Sequence, residues 1–215
     1  MRTKTLLLTA AVTAAGISGS LAQVFSVNAV GYVNVTIPAG RLALISNPLD
    51  AGAGNNTVAK LFPAAPLQIF KYTGTGYIIS SYDDLDGAYS NPNTTVEPGE
   101  GVFVRNNGTT PLTITFVGEV KQGALSNPLP NGLSIRSSQV PQTGNVKDLG
   151  FPGVDGDQIF KFKVDSQNYD SYLFDGLEND WTLNGAINVP VINVGEAVFV
   201  RKNGAGSWNR TFSVN

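Results

Sequence analysis

VEPGEGVFVRNNG, the stretch from Val96 to Gly108, recurs in the second half of the chain as INVGEAVFVRKNG, from Ile192 to Gly204. Eight of the 13 positions are identical, and both stretches contain Gly-Glu-x-Val-Phe-Val-Arg. A run of β-branched and aromatic residues bounded by Gly and Asn is typical of a short β-strand. A repeated block of this kind predicts that the chain contains two copies of one β-rich unit.

Matching segments continue upstream of this block. Gln68–Tyr72 reads QIFKY, and Gln158–Phe162 reads QIFKF. Further matched pairs are Tyr77 with Tyr169, Tyr82–Asp83 with Phe174–Asp175, Leu85 with Leu177, and Tyr89 with Trp181. Within QIFKY, alternation places Phe70 and Tyr72 on one face and Ile69 and Lys71 on the other, which is the period of a strand.

The predicted fold class follows from this order of segments. Each segment is short, is rich in β-branched or aromatic residues, and is bounded by Gly, Pro, Asn or Asp. One helical turn is expected, at Thr57–Phe62. We predict an all-β protein whose two tandem repeats form paired β-sandwiches or barrels with a pseudo-two-fold relation. Residues 23–120 are repeat 1, with an N-terminal strand, and residues 121–215 are repeat 2.

Composition excludes several kinds of chemistry. The chain has no His and no Cys, so it holds neither a Ser-His-Asp or Cys-His catalytic set nor a His/Cys zinc site. Only 14% of residues are charged, and no basic run stands out, which argues against a nucleic-acid partner. We therefore expect a protein that is not an enzyme and has no resident cofactor. Carboxylate-based hydrolysis is the catalytic alternative that this composition leaves open.

The N-terminus has the pattern of an export signal. Arg2 and Lys4 precede the uncharged apolar stretch Thr5–Ile17, and Ser20–Ala22 supplies small residues before Gln23. We predict cleavage near Ala22-Gln23, so that residues 1–22 are a signal peptide and the product is periplasmic, extracellular or at the cell surface. The mature chain would carry 12 basic and 16 acidic residues, a net charge of −4, and no transmembrane segment.

The predicted mature chain begins and ends on related sequences. Phe25–Asn28 and Phe212–Asn215 both read FSVN. One interpretation is that the first segment pairs within its own chain. The other is that it is donated to a neighbouring molecule, which would produce self-association by strand exchange.

The repeats resemble those of a group of secreted and surface proteins of Gram-negative bacteria that has no established activity. The motifs that carry the resemblance are Ser46–Pro48, Ile69–Tyr72, Gly76–Tyr77, Tyr89 and Pro98–Val104. Repeat 2 departs from them, since Ser138–Gln139 stands near the Asn-Pro position and Val194 replaces the Pro. The resemblance covers nearly the whole mature chain and implies an exported all-β module without implying an activity.

Two acidic loops are candidate metal sites. Calcium binds clustered carboxylate and carbonyl oxygens, although the spacing here does not match an EF-hand. The candidate ligands are Asp83, Asp84 and Asp86 in the first loop and Asp175, Glu178 and Asp180 in the second. The alternative is that both loops are solvated acidic turns.

Tyr89 and Trp181 follow these loops at equivalent positions. An aromatic ring beside acidic and amide side chains could act as a platform for a sugar. The alternative is that both rings anchor the loops in the core, an interpretation that their repetition favours.

Glu100 and Glu196 are the matched carboxylates of the repeated block. A carboxylate pair is the hydrolytic machinery left to a chain without His or Cys. Because duplication explains the pair, we expect each Glu to accept backbone N–H groups where its strand begins. We expect Arg105 and Arg201 to close the same strands through an ion pair or a loop carbonyl.

Three functions remain open at this point. The first is an exported, non-enzymatic structural or interaction module of the cell envelope or extracellular space. The second is a carbohydrate-binding or adhesin-like module that uses the aromatic–acidic loops. The third is a two-carboxylate glycosidase. The partner is not identified by the sequence; a glycan and another surface protein are both compatible with it.

Overall fold

A computed structural model describes residues 29–214 and confirms the all-β prediction. The elements of the first half are β1 (Val30–Ile37), β2 (Leu42–Ser46), α1 (Val58–Leu61), β3 (Leu67–Tyr72), β4 (Tyr77–Asp83), β5 (Ala88–Tyr89), β6 (Gly101–Asn106) and β7 (Leu112–Glu119). The elements of the second half are β8 (Gly123–Leu129), β9 (Gly132–Arg136), β10 (Gly144–Asn145), β11 (Gln158–Lys163), β12 (Asn168–Asp175), β13 (Asp180–Leu183), β14 (Ala186–Ile187), β15 (Val191–Ile192), β16 (Val198–Lys202) and β17 (Gly206–Phe212). The short helix α1 confirms the predicted helical turn.

The large sheets of the two halves have the same order over five strands, and the second sheet has one more strand, β14. The first large sheet runs β2-β6-β3-β4-β5, and the second runs β9-β16-β11-β12-β13-β14, all antiparallel. In each half the first and last strands form a separate pair, β1 with β7 and β8 with β17. Strands β10 and β15 form a further short pair. These sheets of the described residues stay open, so the architecture is a sandwich type and not a closed barrel.

Each half has its own hydrophobic core. In the first, the β1–β7 pair contributes Ile37, Ile114 and Phe116 against the inward residues of the large sheet, such as Ile69 and Val104. The second core is arranged likewise; its aromatic members are Phe151, Tyr172, Phe174, Trp181 and Trp208. Alternation along the strands produces both cores, because every second side chain of a strand faces the same side of its sheet.

A third apolar cluster joins the two halves. Leu44 and Phe103 from the first large sheet pack with a set of residues from the second, namely Ile135, Phe162, Ala197 and Phe199. We call this cluster the seam. Burial of two opposed sheet faces removes apolar surface from water, which is the main stabilising contribution available to a chain without disulfides.

The backbone contacts across the seam are reciprocal. The N–H of Ser46 donates to the carbonyl of Gly195 (2.9 Å), and the N–H of Ser137 donates to that of Gly99 (3.0 Å). The matched residues also meet each other, since Ser46 Oγ donates to Ser137 Oγ (3.0 Å). Each contact has its counterpart when the halves are exchanged. The pseudo-two-fold relation stays a prediction, and this reciprocity supports it.

One matched position shows why the repeats cannot be identical. A Cβ added at Gly101 would overlap the Cβ of Ala197 and the Cγ2 of Ile135. Gly101 and Ala197 occupy the same place in their repeats and lie against each other at the seam. The packing therefore has room for one methyl group at this contact and not for two.

Residues 1–28 and 215 lie outside the described part of the chain. The predicted signal peptide, the Phe25–Asn28 segment and the strand-exchange alternative therefore stay predictions. Within residues 29–214, the structure contains no helix with the length and apolar character needed to span a bilayer.

Candidate functional site

Glu100 and Glu196 are held in matching structural roles. Each carboxylate accepts the backbone N–H of the residue three positions upstream and the Nζ of a lysine from the large sheet. The donors are Glu97 (2.9 Å) and Lys71 (2.9 Å) for Glu100, and Asn193 (2.9 Å) and Lys161 (3.2 Å) for Glu196. The prediction that each Glu accepts a backbone N–H where its strand begins is confirmed. The contacts with the lysines were not predicted from the sequence.

The arginines that follow do not make the contacts expected of them. Arg201 Nη1 donates to the side-chain Oε1 of Gln158 (3.3 Å). Among the described residues Arg105 has no hydrogen-bond or ion-pair partner, and its side chain is exposed. The predicted ion pair or loop-carbonyl contact is therefore wrong for both residues.

The acidic loops are turns capped by their first carboxylate. Asp83 Oδ1 accepts the N–H of Leu85 (2.8 Å), and Asp175 Oδ1 accepts the N–H of Leu177 (2.9 Å). This is the arrangement by which Asp stabilises a tight turn.

The remaining candidate calcium ligands are not brought together. Across residues 29–214 there is no group of three or more acidic side chains arranged to hold a metal ion. Asp180 instead accepts from Lys147 Nζ (2.8 Å), a contact that lowers the pKa of its carboxyl. Asp84, Asp86 and Glu178 thus belong to no such group in the described part of the chain, and the calcium alternative stays a prediction.

Tyr89 and Trp181 are core residues. Their side chains are 6% and 0% exposed, and the hydroxyl of Tyr89 donates to the carbonyl of Pro63 (2.7 Å). Trp181 packs against the rings of Phe151 and Phe174. The predicted ligand contact is wrong, because a ring enclosed on all sides offers no platform for a sugar. The alternative, that these rings anchor the loops, is confirmed.

Sequence reasoning missed two apolar grooves at the edges of the seam, which we call the seam grooves. One, of about 280 Å³, is lined by Leu133, Phe160, Tyr169, Phe199 and Arg201. The other, of about 250 Å³, is lined by Leu42, Phe70, Tyr77, Phe103, Phe162 and Tyr169. Four lining residues of one groove are the repeat counterparts of four in the other. A similar surface is therefore built twice, although Tyr169 lines both grooves and Arg201 lines only the first.

Two tyrosines lie at the rims of these grooves. Tyr77 is 45% exposed and Tyr169 is 39% exposed, in contrast to the buried Tyr89. Tyr77 packs edge-on against Phe70 (ring centroids 6.4 Å apart), and Tyr169 packs edge-on against Phe162 (5.1 Å). Partial burial raises the pKa of both phenols. These contacts fix the rings in place while leaving part of each accessible.

The grooves exist because the large sheets meet only in part. Phe70 and its counterpart Phe160 alternate with core-facing Ile69 and Ile159, so they project from the opposite face toward the seam. The sequence shows this alternation. It does not show which sheet covers the face that carries Phe70 and Phe160, because that depends on the packing of residues far apart in the chain.

A buried ion pair was also missed. Lys202 Nζ donates to Asp157 Oδ2, with the two side chains 3% and 0% exposed, and to the carbonyl of Pro152 (2.9 Å). Asp157 further accepts the N–H groups of Val154 (2.8 Å) and Asn203 (2.9 Å). With its charges paired and its oxygens saturated, this pair is a structural feature and not a reactive site.

Comparisons of the chain with protein-family models, with curated proteins and with solved structures find no match.

Proposed function

We propose that the chain is an exported, non-enzymatic interaction module that binds its partner at the two seam grooves. One observation carries the proposal: the repeat builds a similar partly exposed aromatic surface twice, with Tyr77 and Tyr169 at the rims. Apolar concave surfaces that remain accessible in a folded protein are typical of recognition sites.

The state of the acidic residues supports a role without catalysis. Glu100 and Glu196 each accept from a lysine and from a backbone N–H, so both carboxylates are engaged in holding the turn before their strand. The first carboxylates of the two acidic loops cap turns.

Binding of an apolar fluorescent probe, anilinonaphthalene sulfonate, tests the seam grooves. We expect the purified protein to enhance the probe's fluorescence and the double variant Tyr77→Ser, Tyr169→Ser to lose most of that enhancement. Val30→Ser is the matched control, because Val30 is an exposed apolar residue on β1, away from the seam. An equal loss in the control, or no enhancement by the wild type, would contradict the proposal.

Carbohydrate binding is a second candidate, favoured by the same two rings. Tyrosine faces with an arginine and a glutamine nearby, here Arg201 and Gln158, suit a sugar ring and its hydroxyls. Glycan-array binding that disappears in Tyr169→Ser and persists in Trp181→Phe would support it. Retention of no glycan by the wild-type protein would remove this candidate.

Export is the third part of the proposal. The mass of the product recovered from a bacterial culture should correspond to residues 23–215, because cleavage is expected after Ala22. Recovery of the uncleaved chain in the cytoplasmic fraction alone would contradict it.

A further inference from the structure

The outer edges of β2 and β9 face the opposite repeat and differ in one respect. On β2, the side-chain amide of Gln167 covers the peptide groups of Leu42: the N–H of Leu42 donates to Gln167 Oε1 (3.1 Å), and Gln167 Nε2 donates to the carbonyl of Leu42 (2.9 Å). A single carboxamide thus supplies the donor and acceptor that a neighbouring strand would supply.

The hairpin that carries Gln167 is longer than its counterpart. Strands β11 and β12 continue pairing to Lys163 and Asn168, whereas β3 and β4 stop at Tyr72 and Tyr77. The four residues of the shorter turn, 73–76, read TGTG and contain no amide side chain. Repeat 1 therefore has no residue that plays the part of Gln167 on β9.

Leu133 is the counterpart of Leu42, since both lie opposite the matched arginine of the neighbouring strand. The N–H of Ser137 donates across the free edge to Gly99, and peptide groups alternate sides along a strand. The N–H and carbonyl of Leu133, four residues earlier, therefore point to the same free edge. Within residues 29–214 no side chain covers them as Gln167 covers Leu42.

This open edge forms one wall of a polar slot of about 310 Å³ between the repeats. Gly132–Ser134 of β9 line the slot together with Tyr72 and the turn residues Thr73 and Gly74 of the other repeat. Glu100 and Arg136 also line it.

Arg136 has one terminal nitrogen left for a ligand. Its Nε donates to the carbonyl of Pro128 (2.7 Å) and its Nη1 to that of Ile135 (3.0 Å). Its Nη2 has no partner among the described residues. In the counterpart cleft of the other repeat, Ile45 occupies the position of Arg136. Packing at this place thus does not require a guanidinium.

We propose that the slot binds the acetamido group of an N-acetylated hexosamine. The acetamide C=O accepts from the N–H of Leu133, and its N–H donates to the carbonyl of Leu133, as the amide of Gln167 does at Leu42. The sugar hydroxyls bind Arg136 Nη2 and the carboxylate of Glu100. The slot adjoins the first seam groove, with which it shares Leu133, but its other lining residues are different and this inference does not rest on groove binding.

The size of the opening favours a single amide over an added peptide strand. The slot is at the lower end of the range for small-ligand sites. Strand addition needs several consecutive free peptide groups, but the edge of β9 beyond Ile135 is already bonded, since Arg136 bridges to Glu100 and Ser137 to Gly99.

Titration of the ¹⁵N-labelled protein with N-acetylglucosamine tests the proposal. The amide signal of Leu133 should shift, with a Kd on the order of 1 mM for a ligand of this size. Glucose, which lacks the acetamide, should leave the signal unchanged. An equal shift with glucose, or none with N-acetylglucosamine up to about 50 mM, would overturn the proposal. An equal shift with N-acetylalanine methylamide would overturn the sugar assignment in favour of a peptide.

Two variants sharpen the test. Arg136→Ile installs the residue of the counterpart cleft and should weaken binding about tenfold. Two backbone carbonyls lose a donor in this variant, so its melting temperature is measured to show that it still folds. Replacing residues 73–76 with the sequence of residues 163–168 should close the slot and abolish binding. Gln167→Ala is the matched control, because it uncovers Leu42 without touching the slot and should leave the Leu133 shift intact. Binding unaffected by both slot variants would contradict the site.

Discussion

The two repeats fill one equivalent position between neighbouring strands in different ways. In repeat 1, Leu67 on β3 lies opposite Asn106 on β6, and the Asn106 amide donates to the carbonyls of Ile37 (3.1 Å) and Thr110 (2.8 Å). In repeat 2 the corresponding residues are Asp157 and Lys202, which form the buried ion pair. The same backbone arrangement therefore accommodates a neutral pair of side chains in one repeat and an ionic pair in the other.

Glu100 and Glu196, unlike the residues at this position, are the same in both repeats. Both repeats keep these carboxylates with the same two kinds of donor, so the turn before the strand depends on them. Where the repeats differ, as at Leu67 and Asp157, local surroundings decide the residue. The pair of repeats thus acts as an internal comparison of required and replaceable contacts.

The largest expected effect comes from breaking the ion pair of repeat 2. Asp157→Leu leaves Lys202 buried with only a carbonyl partner, which should lower the free energy of unfolding by about 3–5 kcal/mol. Urea denaturation measures it. The control, Asp157→Leu combined with Lys202→Met, should regain most of the loss, since repeat 1 needs no charge there. A double variant as unstable as the single one would refute this account of the difference.

A smaller effect is expected at the seam, where one repeat has Gly101 and the other Ala197. Gly101→Ala should cost about 1–3 kcal/mol through overpacking. Gly101→Ala combined with Ala197→Gly moves the single methyl to the other repeat and should recover part of the loss. Thermal unfolding measures both. If Gly101→Ala were neutral, the contact between the matched positions would be looser than described.

Similar effects are expected from the two matched carboxylates. Glu100→Gln and Glu196→Gln each weaken one lysine contact and one turn N–H contact, so each should cost about 1 kcal/mol. Glu196 also accepts from Asn193 Nδ2 (3.0 Å), so its loss should be equal or slightly larger. The comparison is made by urea denaturation of both variants under the same conditions. A loss confined to one of them would mean that the repeats use their carboxylates differently.

The smallest effect concerns pH and is confined to repeat 1. The side-chain hydrogen bond from Asn56 lowers the pKa of Asp50 below its ordinary value of 3.8. The stability contributed by ionised Asp50 is present above that value and is lost as pH falls through the lower folded-state pKa. Urea midpoints should therefore fall less between pH 6 and pH 2 in Asp50→Asn than in the wild type. A urea midpoint that falls as much in Asp50→Asn as in the wild type would contradict this prediction. Asp86→Asn, at an exposed position, is the control.

Local pattern was enough to predict the strands and the helical turn. The segment QIFKY is strand β3 except for its first residue, Leu67, because alternation and flanking turn residues are local signals. Tyr89 and Trp181 were harder to place. Their burial depends on the pairing of β5 with β4 and of β13 with β12, and two-residue strands such as β5 leave little pattern to read.

The seam and the slot could not be predicted for a different reason. The residues that form the seam come from both repeats, and sequence alternation does not tell which face meets which sheet. The two-residue difference between the hairpins was present in the sequence. Its consequence, a covered edge at Leu42 and an open one at Leu133, requires the relative position of the repeats.

Native-state hydrogen exchange tests most directly whether the repeats meet through matching contacts. The amides of Ser46 and Ser137 should be protected to a similar degree, because each donates across the seam to its opposite repeat. Leu42 should exchange more slowly than Leu133, whose edge is open. Rapid exchange at either serine, or equal protection of the two leucines, would contradict the arrangement on which the two proposed binding sites depend.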